Sequence, residues 1–564
     1  PTGDNDSPTA DQMSVIENLW IMNANERDIR SLAGISYFTE LRALNCYNNQ
    51  LTALDVSKNT KLIGLSCGGN QLTSLNVSAL PNLQSLSCSS NQLTSLDVSK
   101  NTKLIGLSCD SNQLASLDVS ALPDLEMLNV SMNQIAALDV SKNTKLTQFY
   151  CFLNQISELN ISGMPDLMWL SCTMNQLTAL DVSKNTKLVQ LFCGNNKIPE
   201  LDVSSMLDLE LLDCWANQLT ALDVSKNTKL TYLSCGDNQI PELDVSGLSN
   251  LETLYCAGNQ LTSLDVSKNT KLVRLDCDGN QLTALDVSAL PNLESLHCWF
   301  NQLTELDVSK NTKLTTLTCG TNQISELDVS ALLNLERLEC ECCQLTSLDV
   351  SSNTKLTMLR CFGNEISELN VSALPELLEL ICRDNQLTSL DVSKNTKLTG
   401  LTCSGNHLTS LELSKNPALE DVRIVDQTIS ETAAKVLQNG SSYMLNFNEL
   451  VPGIDLSRVT MTDGGTLNTG TGIVSYSMRP ETVSYTYRTN APAGTPEDAA
   501  ELAVSWKAVY DGEAPVLSGD LDGDGELTSA DVVLLARYLA GAETLSEAQL
   551  TAADLNADGV ITSA

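Results

Sequence analysis

The apolar positions of this chain recur on a 21-residue period. One unit places Leu62, Leu65, Cys67, Leu72, Leu75 and Val77 as its apolar set, with Asn70 among them and polar residues between. The pattern holds in register through eighteen consecutive units, from about residue 41 to 420, after a degenerate unit near Leu19 to Leu41. Self-similarity at one fixed period means stacked coils, a solenoid. Within a unit, the Leu65-x-Cys67 alternation predicts a short strand, and the second half echoes the first ten residues later, as in Leu93, Leu96 and Val98. So short a unit leaves little chain for an outer helix, so strands or turns are predicted on both sides of each coil.

Cysteine marks the period. Seventeen of the nineteen cysteines fall on one series with a step of 21 residues, from Cys46 to Cys403, broken only by Val130. Stacked strands lie about 4.8 Å apart, which brings neighbouring thiols close, but in-register side chains point the same way and bridging would strain the strands. Cysteine is also a small, readily buried hydrophobe, so core packing is the role assigned here. Asn49, Asn70, Asn91 and their successors follow three residues later and are read as scaffold, buried amides that bond the turns of adjacent coils. The pattern departs once, at Cys340-Glu341-Cys342-Cys343, where Cys343 takes the asparagine slot. Three near thiols suit a soft metal or oxidation, but without histidine or a second CxxC the zinc signal is weak and local drift is preferred.

The unit LxxLxCxxNxL resembles the leucine-rich repeat, with cysteine in the third leucine slot, as in bacterial proteins with 21-residue cysteine-containing repeats. The resemblance covers about three quarters of the chain. It implies an α/β-type solenoid, predominantly β: a leucine-rich-repeat arc of short parallel strands over residues 19–429, after an N-terminal tail 1–18. Above the basic period, Ser-Lys-Asn-Thr-Lys-Leu at 57–62 alternates with Ser-Ala-Leu-Pro-Asn-Leu at 78–83, which points to growth by copying 42-residue pairs.

A net charge of −36 disfavours nucleic acid and anionic membrane, since no basic stripe offsets phosphate repulsion. Asp55, Asp97, Asp118, Asp139, Asp181 and Asp202 recur nine residues after the ladder position and are read as solvated turn caps near Lys58 and Lys61, not as a calcium array. No apolar run approaches about 18 residues, so membrane insertion is not expected. Residues 1–10 read as a trimmed mature end without a signal peptide. Many unpaired cysteines in a secreted chain fit an anaerobic habitat better than an oxidising one.

Past Leu419 the repeat dissolves, and 430–440 reads as a short helix. Alternating runs at 455–461, 472–478, 483–487 and 502–510, separated by Gly, Asn and Pro turns, predict a small all-β, sandwich-like domain over 430–514. It resembles the β domains that cap bacterial leucine-rich-repeat surface proteins, and capping the last coil is preferred over carbohydrate binding.

A linker at 511–518 leads to the strongest chemical motif. Asp520, Asp522, Asp524 and Asp531 stand at positions 1, 3, 5 and 12 of a loop, with the Glu526 carbonyl at 7 and Gly525 at the sharp turn. Hard anionic oxygens on a tight loop suit calcium. A second copy offers Asp554, Asn556, Asp558 and the Val560 carbonyl, and the chain ends one residue before its position 12, which weakens that loop. Between the loops, 532–540 has helical apolar spacing. The arrangement over 515–564 resembles a type I dockerin, a small α domain with EF-hand-like calcium loops. The resemblance implies a cohesin domain on a scaffold protein as partner, with Ser529, Ala530, Arg537, Ser563 and Ala564 at the family's contact positions. The small Ala530 and Ala564 leave the cohesin type open.

On the strand surface, positions flanking the cysteine slot face outward. Early units show Gly64, Ser66 and Gly68, whereas middle units show Tyr150, Phe152, Trp169, Phe192, Trp215, Tyr232, Tyr255 and Trp299. Exposed rings at coil spacing are enriched where proteins recognise partners or sugars, against the alternative that rings pack together merely to stiffen the face. Later units turn polar, with Arg274, Asp276, Asp278, His297, Arg337, Glu339, Glu341, Arg360 and Arg383. Asp276 and Asp278 have the look of paired glycosidase carboxylates, but they lie on a flat face without a deep pocket. No GxSxG, Cys–His pairing, phosphate loop or zinc spacing is present. The expectation is a secreted, non-catalytic binding or adhesion protein in a cellulosome-like cell-surface assembly of an anaerobic bacterium. Its inner face would hold a protein or glycan ligand. The alternative is a carbohydrate-active enzyme component, a glycoside hydrolase, the cargo dockerins most often carry.

Overall fold

The structure, a computed structural model, describes residues 9–21, 29–425, 427–439, 442–491 and 501–510, and divides into two compact units, Pro1–Thr316 and Leu317–Ala564. In the first unit, helix α1 (Ala10–Ser14) opens on a capping box between Thr9 and Gln12. Fourteen three-residue strands follow, from β1 (Asn18–Trp20) and β2 (Ala43–Asn45) to β14 (Ser295–His297). Successive strands pair in parallel, one coil apart, so Leu65 lies beside Leu86 and Leu86 beside Leu107. From β2 on, the central residue of each strand, leucine except for Phe149, is buried and its neighbours face out, the period-two alternation of a sheet with one covered face. Cysteine follows on the inside, and Cys67, Cys88 and Cys109 are fully buried and free.

The asparagine rung holds coil to coil. Asn70 Nδ2 donates to the carbonyls of Cys46, Cys67 and Gly68 at 3.0, 3.0 and 3.1 Å, while its Oδ1 accepts from Leu51 N–H at 2.9 Å. Strands this short leave turn backbone polar groups inside the coil, and the amide satisfies them where water has no access.

A second rung runs along the opposite turn at every other coil. Asn101 Nδ2 donates to the carbonyls of Val77 and Leu80, both at 2.9 Å, and Asn143 repeats the pattern on Val119 and Leu122. These asparagines come from the Ser-Lys-Asn-Thr-Lys-Leu coils and reach back into the alternate type. The same coils pair lysine with the residue 21 positions earlier, Lys103 with Asn82 and Lys145 with Asp124. The exposed pairs are worth little, so the buried asparagine is what makes the 42-residue pair a bonded unit. The aspartate row caps turns as predicted. Asp97 Oδ1 accepts from Ser99 N–H at 2.9 Å, and that donation holds its carboxyl below the ordinary range.

Strand β15 (Thr316–Thr318) falls at the division between units. The second unit carries the same coil from β16 (Arg337–Glu339) to β20 (Asp421–Arg423). Here the repeat outlasts Leu419, because Ile424 fills the cysteine slot and Gln427 the asparagine slot. Gln427 Oε1 accepts from Leu408 N–H and its Nε2 donates to the Cys403 carbonyl, both at 2.9 Å.

The predicted helix at 430–440 is instead a strand. β21 (Gln427–Asn439) and β22 (Ser442–Asn446) precede β23 (Val459–Met461), β24 (Thr466–Asn468), β25 (Ile473–Tyr476), β26 (Thr482–Arg488) and β27 (Glu501–Tyr510) in one seven-stranded sheet. β21 pairs in parallel with β27 and then antiparallel with β22. Helix propensity is a weak prior, and tertiary pairing overrides it here: Ala434 and Val436 are buried while Lys435 and Leu437 are exposed, a period of two. Tyr485 anchors this region's core, edge-on to Phe447 at 4.9 Å and stacked on Trp506 at 5.5 Å. Its hydroxyl donates to the Thr409 carbonyl at 2.8 Å, which ties the sheet to the last coils.

Candidate functional site

Each coil offers three outward positions along its strand: the first strand residue, the third, and the one after the cysteine slot. Trp169 and Tyr232 are first residues, Tyr150, Phe192 and Tyr255 are third residues, and Phe152, Trp215 and Trp299 follow the slot. The parallel register therefore sets all eight on one face of the first unit. All are partly exposed, Trp299 most at 40%.

The rings also lean on their neighbours. The Trp215 indole lies over Gly194, Tyr232 meets Tyr255 edge-on at 5.7 Å, and Trp299 rests against Phe300 at 5.3 Å. Each contact holds a ring in place while leaving part of it to solvent, so the packing preorganises the face.

Carboxylates stand among these rings. Asp213 accepts from Trp215 N–H at 3.3 Å, Asp276 from Asp278 N–H at 3.1 Å, and Asp278 from Trp299 N–H at 2.5 Å. Desolvation pushes the Asp213 and Asp276 carboxyls above the usual carboxylate range, against the pull of those N–H donors. Asp276 and Asp278 thus serve the turn backbone of their own and the next coil. Nearby, Ser295 Oγ lies 2.9 Å from His297 Nε2.

A fourth outward position escaped sequence reasoning. The second residue after the cysteine slot has left-handed backbone, held by coil-to-coil bonds such as Met132 N–H to the Phe152 carbonyl at 2.8 Å. Several coils fill it with the expected glycine or asparagine, but Met132, Leu153, Met174 and Phe300 occupy it at φ 54, 54, 56 and 54° and are exposed. The available signal was an apolar residue in a turn column otherwise rich in Gly, Asn, Ser and Asp.

The polar positions of the second unit are largely engaged with one another. Arg337 pairs with Glu339, Arg360 with Glu379 at 3.0 Å, and Arg383 lies 4.1 Å over the Phe362 ring. Glu341, expected outside, is 7% exposed, because Gly320 in the coil before leaves room for its carboxyl to fold down. Cys340 and Cys343 are buried and Cys342 is exposed. The Cys343 thiol donates to the Cys319 carbonyl at 3.2 Å, in partial replacement of the missing amide. Among the described residues no group of three His, Cys, Asp or Glu side chains is placed to hold a metal, and no helix is long and apolar enough to cross a membrane.

The calcium-loop residues Asp520, Asp522, Asp524, Glu526, Asp531, Asp554, Asn556, Asp558 and Val560 lie outside the described residues. So do Ser529, Ala530, Arg537, Ser563 and Ala564.

Comparison with known proteins gives the relationships. Residues 518–564 match the type I dockerin domain, and residues 60–101, 249–290 and 291–332 match leucine-rich repeats. No curated relative matches the chain. The chain is similar to the functional domain of InlJ from Listeria monocytogenes, which includes a cysteine ladder, at 31% identity over 83% of this chain and 91% of that one, with a TM-score of 0.55. A leucine-rich-repeat protein of Leptospira interrogans is 26% identical over 62% of this chain and 98% of its own, with a TM-score of 0.56. YopM from Yersinia enterocolitica is 27% identical over 73% and 87%, with a TM-score of 0.60. Leucine-rich repeats and dockerins are non-catalytic families, and the matched parts support a protein-interaction module of cellulosome type. The chain belongs to the leucine-rich-repeat family, in the form whose core carries a cysteine ladder, and joins those repeats to a type I dockerin domain.

Proposed function

We propose that this chain is an extracellular, non-catalytic recognition subunit, attached by its dockerin to a cohesin domain of a scaffold protein and holding a protein or glycan ligand on its aromatic strand face. The observation that carries the reading is the set of eight part-exposed rings within eight consecutive coils of a chain whose C-terminal residues match a dockerin. Aromatic residues are enriched at recognition surfaces, and rings left in water cost free energy that a ligand recovers.

Asp520, Asp522, Asp524, Asp531 and the Glu526 carbonyl form an all-oxygen donor set that fits calcium, and Asp554, Asn556, Asp558 and the Val560 carbonyl offer part of a second. Bound calcium would supply the charge that closes the acidic loops. Ser529, Ala530, Arg537, Ser563 and Ala564 are the residues assigned to the cohesin contact.

Capture of the full chain by immobilised cohesin domains tests the anchoring. Retention in calcium, release by chelator and loss in Asp524→Ala are expected. Retention that ignores chelation would remove the dockerin from the account, and release of reducing sugar from polysaccharide by the purified chain would overturn the non-catalytic role.

A further inference from the structure

The strand face divides by charge. In the coils of Met127, Gln148, Trp169 and Gln190, the four outward positions hold no charged residue, in a chain of net charge −36. In the five coils that follow, Asp213, Asp237, Asp276 and Asp278 are set against Arg274 alone.

The uncharged part bears Met132, Leu153 and Met174, exposed at 47, 41 and 38% on left-handed backbone. Gly69, Gly258 and Asn48 show what that backbone favours elsewhere. A bulky side chain there strains the backbone and exposes apolar surface as well. Such strain gathers at binding sites. In the acidic part, the two positions after the cysteine slot are small at Gly236, Ala257, Gly258 and Gly279, which leaves Asp237 and Asp278 standing in those columns between Trp215 and Trp299. The Asp237 carboxylate lies over Gly258, where a Cβ would meet it at 2.4 Å.

We infer that this face docks a polypeptide segment that is apolar at one end and basic at the other. The apolar end covers Met132, Leu153 and Met174. The basic end lies between Trp215 and Trp299, where Asp237, Asp276 and Asp278 supply opposite charge and indole faces attract cations. Nine coils at about 4.8 Å span about 38 Å, the reach of an extended segment of about a dozen residues. The inference rests on the strand face being the ligand surface and adds the class of ligand and its direction.

The test selects a displayed library of random peptides of about twelve residues on the full chain, with a parallel titration of cellohexaose. Enriched sequences should pair an apolar run with a Lys- or Arg-rich end. A selected peptide should bind about tenfold more weakly to Leu153→Asn/Met174→Asn, whose asparagines suit the left-handed turn, and to Asp276→Asn/Asp278→Asn, where salt dependence also flattens. No enrichment, enrichment without a basic end, or affinity unchanged in both variants would overturn the inference. Cellohexaose binding that Trp215→Ala/Trp299→Ala abolishes, without peptide enrichment, would overturn it while leaving the strand face as the ligand surface.

Discussion

The indole of Trp215 lies across Gly194 of the preceding coil, so near that a Cβ at position 194 would sit 2.4 Å from its Cδ1. Gly194→Ala should therefore lift the ring from its seat while the backbone of residue 194 stays unstrained. The expected result is a red-shifted tryptophan emission with a loss of about 1 kcal/mol in urea unfolding, and a larger proportional loss of ligand affinity than of stability.

Asn364 and Cys343 sit on adjacent rungs with unequal bonding. Asn364 donates to the Cys340 and Cys361 carbonyls at 3.0 and 2.9 Å and accepts from Leu345 N–H at 3.0 Å. The Cys343 thiol donates to the Cys319 carbonyl and takes weak backbone donations from Thr321 and Asn322, but it has no amide oxygen to offer the turn above it. Cys343→Asn should stabilise the chain by about 1 kcal/mol, and Asn364→Ala should cost about 3 kcal/mol, both read from denaturant midpoints.

Burial pushes the ladder thiols up, with Cys88, Cys151, Cys235 and Cys403 reaching about 12 from an ordinary 9.0. Between those values the unfolded chain has shed protons that the native chain keeps, so stability falls as pH rises through the window and is fully present below it. Unfolding free energy measured against pH should be level near neutrality and drop steeply above about 9. Replacing Cys151 and Cys235 with valine, which already serves at Val130, should reduce that slope. At neutral pH, a thiol reagent should reach Cys342 in the native chain and the ladder thiols only after unfolding.

Arg458 joins the β sheet to the last coils. It pairs with Glu412 at 2.6 Å, donates to the Arg488 carbonyl at 2.7 Å and lies 4.4 Å over the Tyr487 ring. Its side chain is mostly covered, so removing it leaves polar groups unsatisfied. Arg458→Ala should cost about 2 kcal/mol and open an early transition in proteolysis-monitored unfolding, whereas Arg423→Ala, in an exposed pair, should change neither.

Much of this architecture was legible because a 21-residue period repeats each packing decision many times. Leu65, Cys67 and Asn70 announce a buried strand residue, a core sulfur and an amide rung, and Asp97 announces a turn cap. The second rung was hidden because Asn101 sits in a five-residue polar stretch that reads as a loop, and only the fold shows it fully buried. β21 was misread because alanine, lysine and leucine favour a helix locally, while its partner β27 lies far along the chain. The burial of Glu341 depends on Gly320, one coil away, and the cost borne by Leu153 depends on the sign of a dihedral that sequence does not display.

The most direct test loads the full chain onto a cohesin-coated biosensor in calcium and then flows a library-selected peptide over it. The account predicts a second association on the loaded surface, no second association with Trp215→Ala/Trp299→Ala loaded to the same level, and release of chain and peptide together by chelator. Equal peptide capture by the wild-type and doubly substituted chains would contradict it.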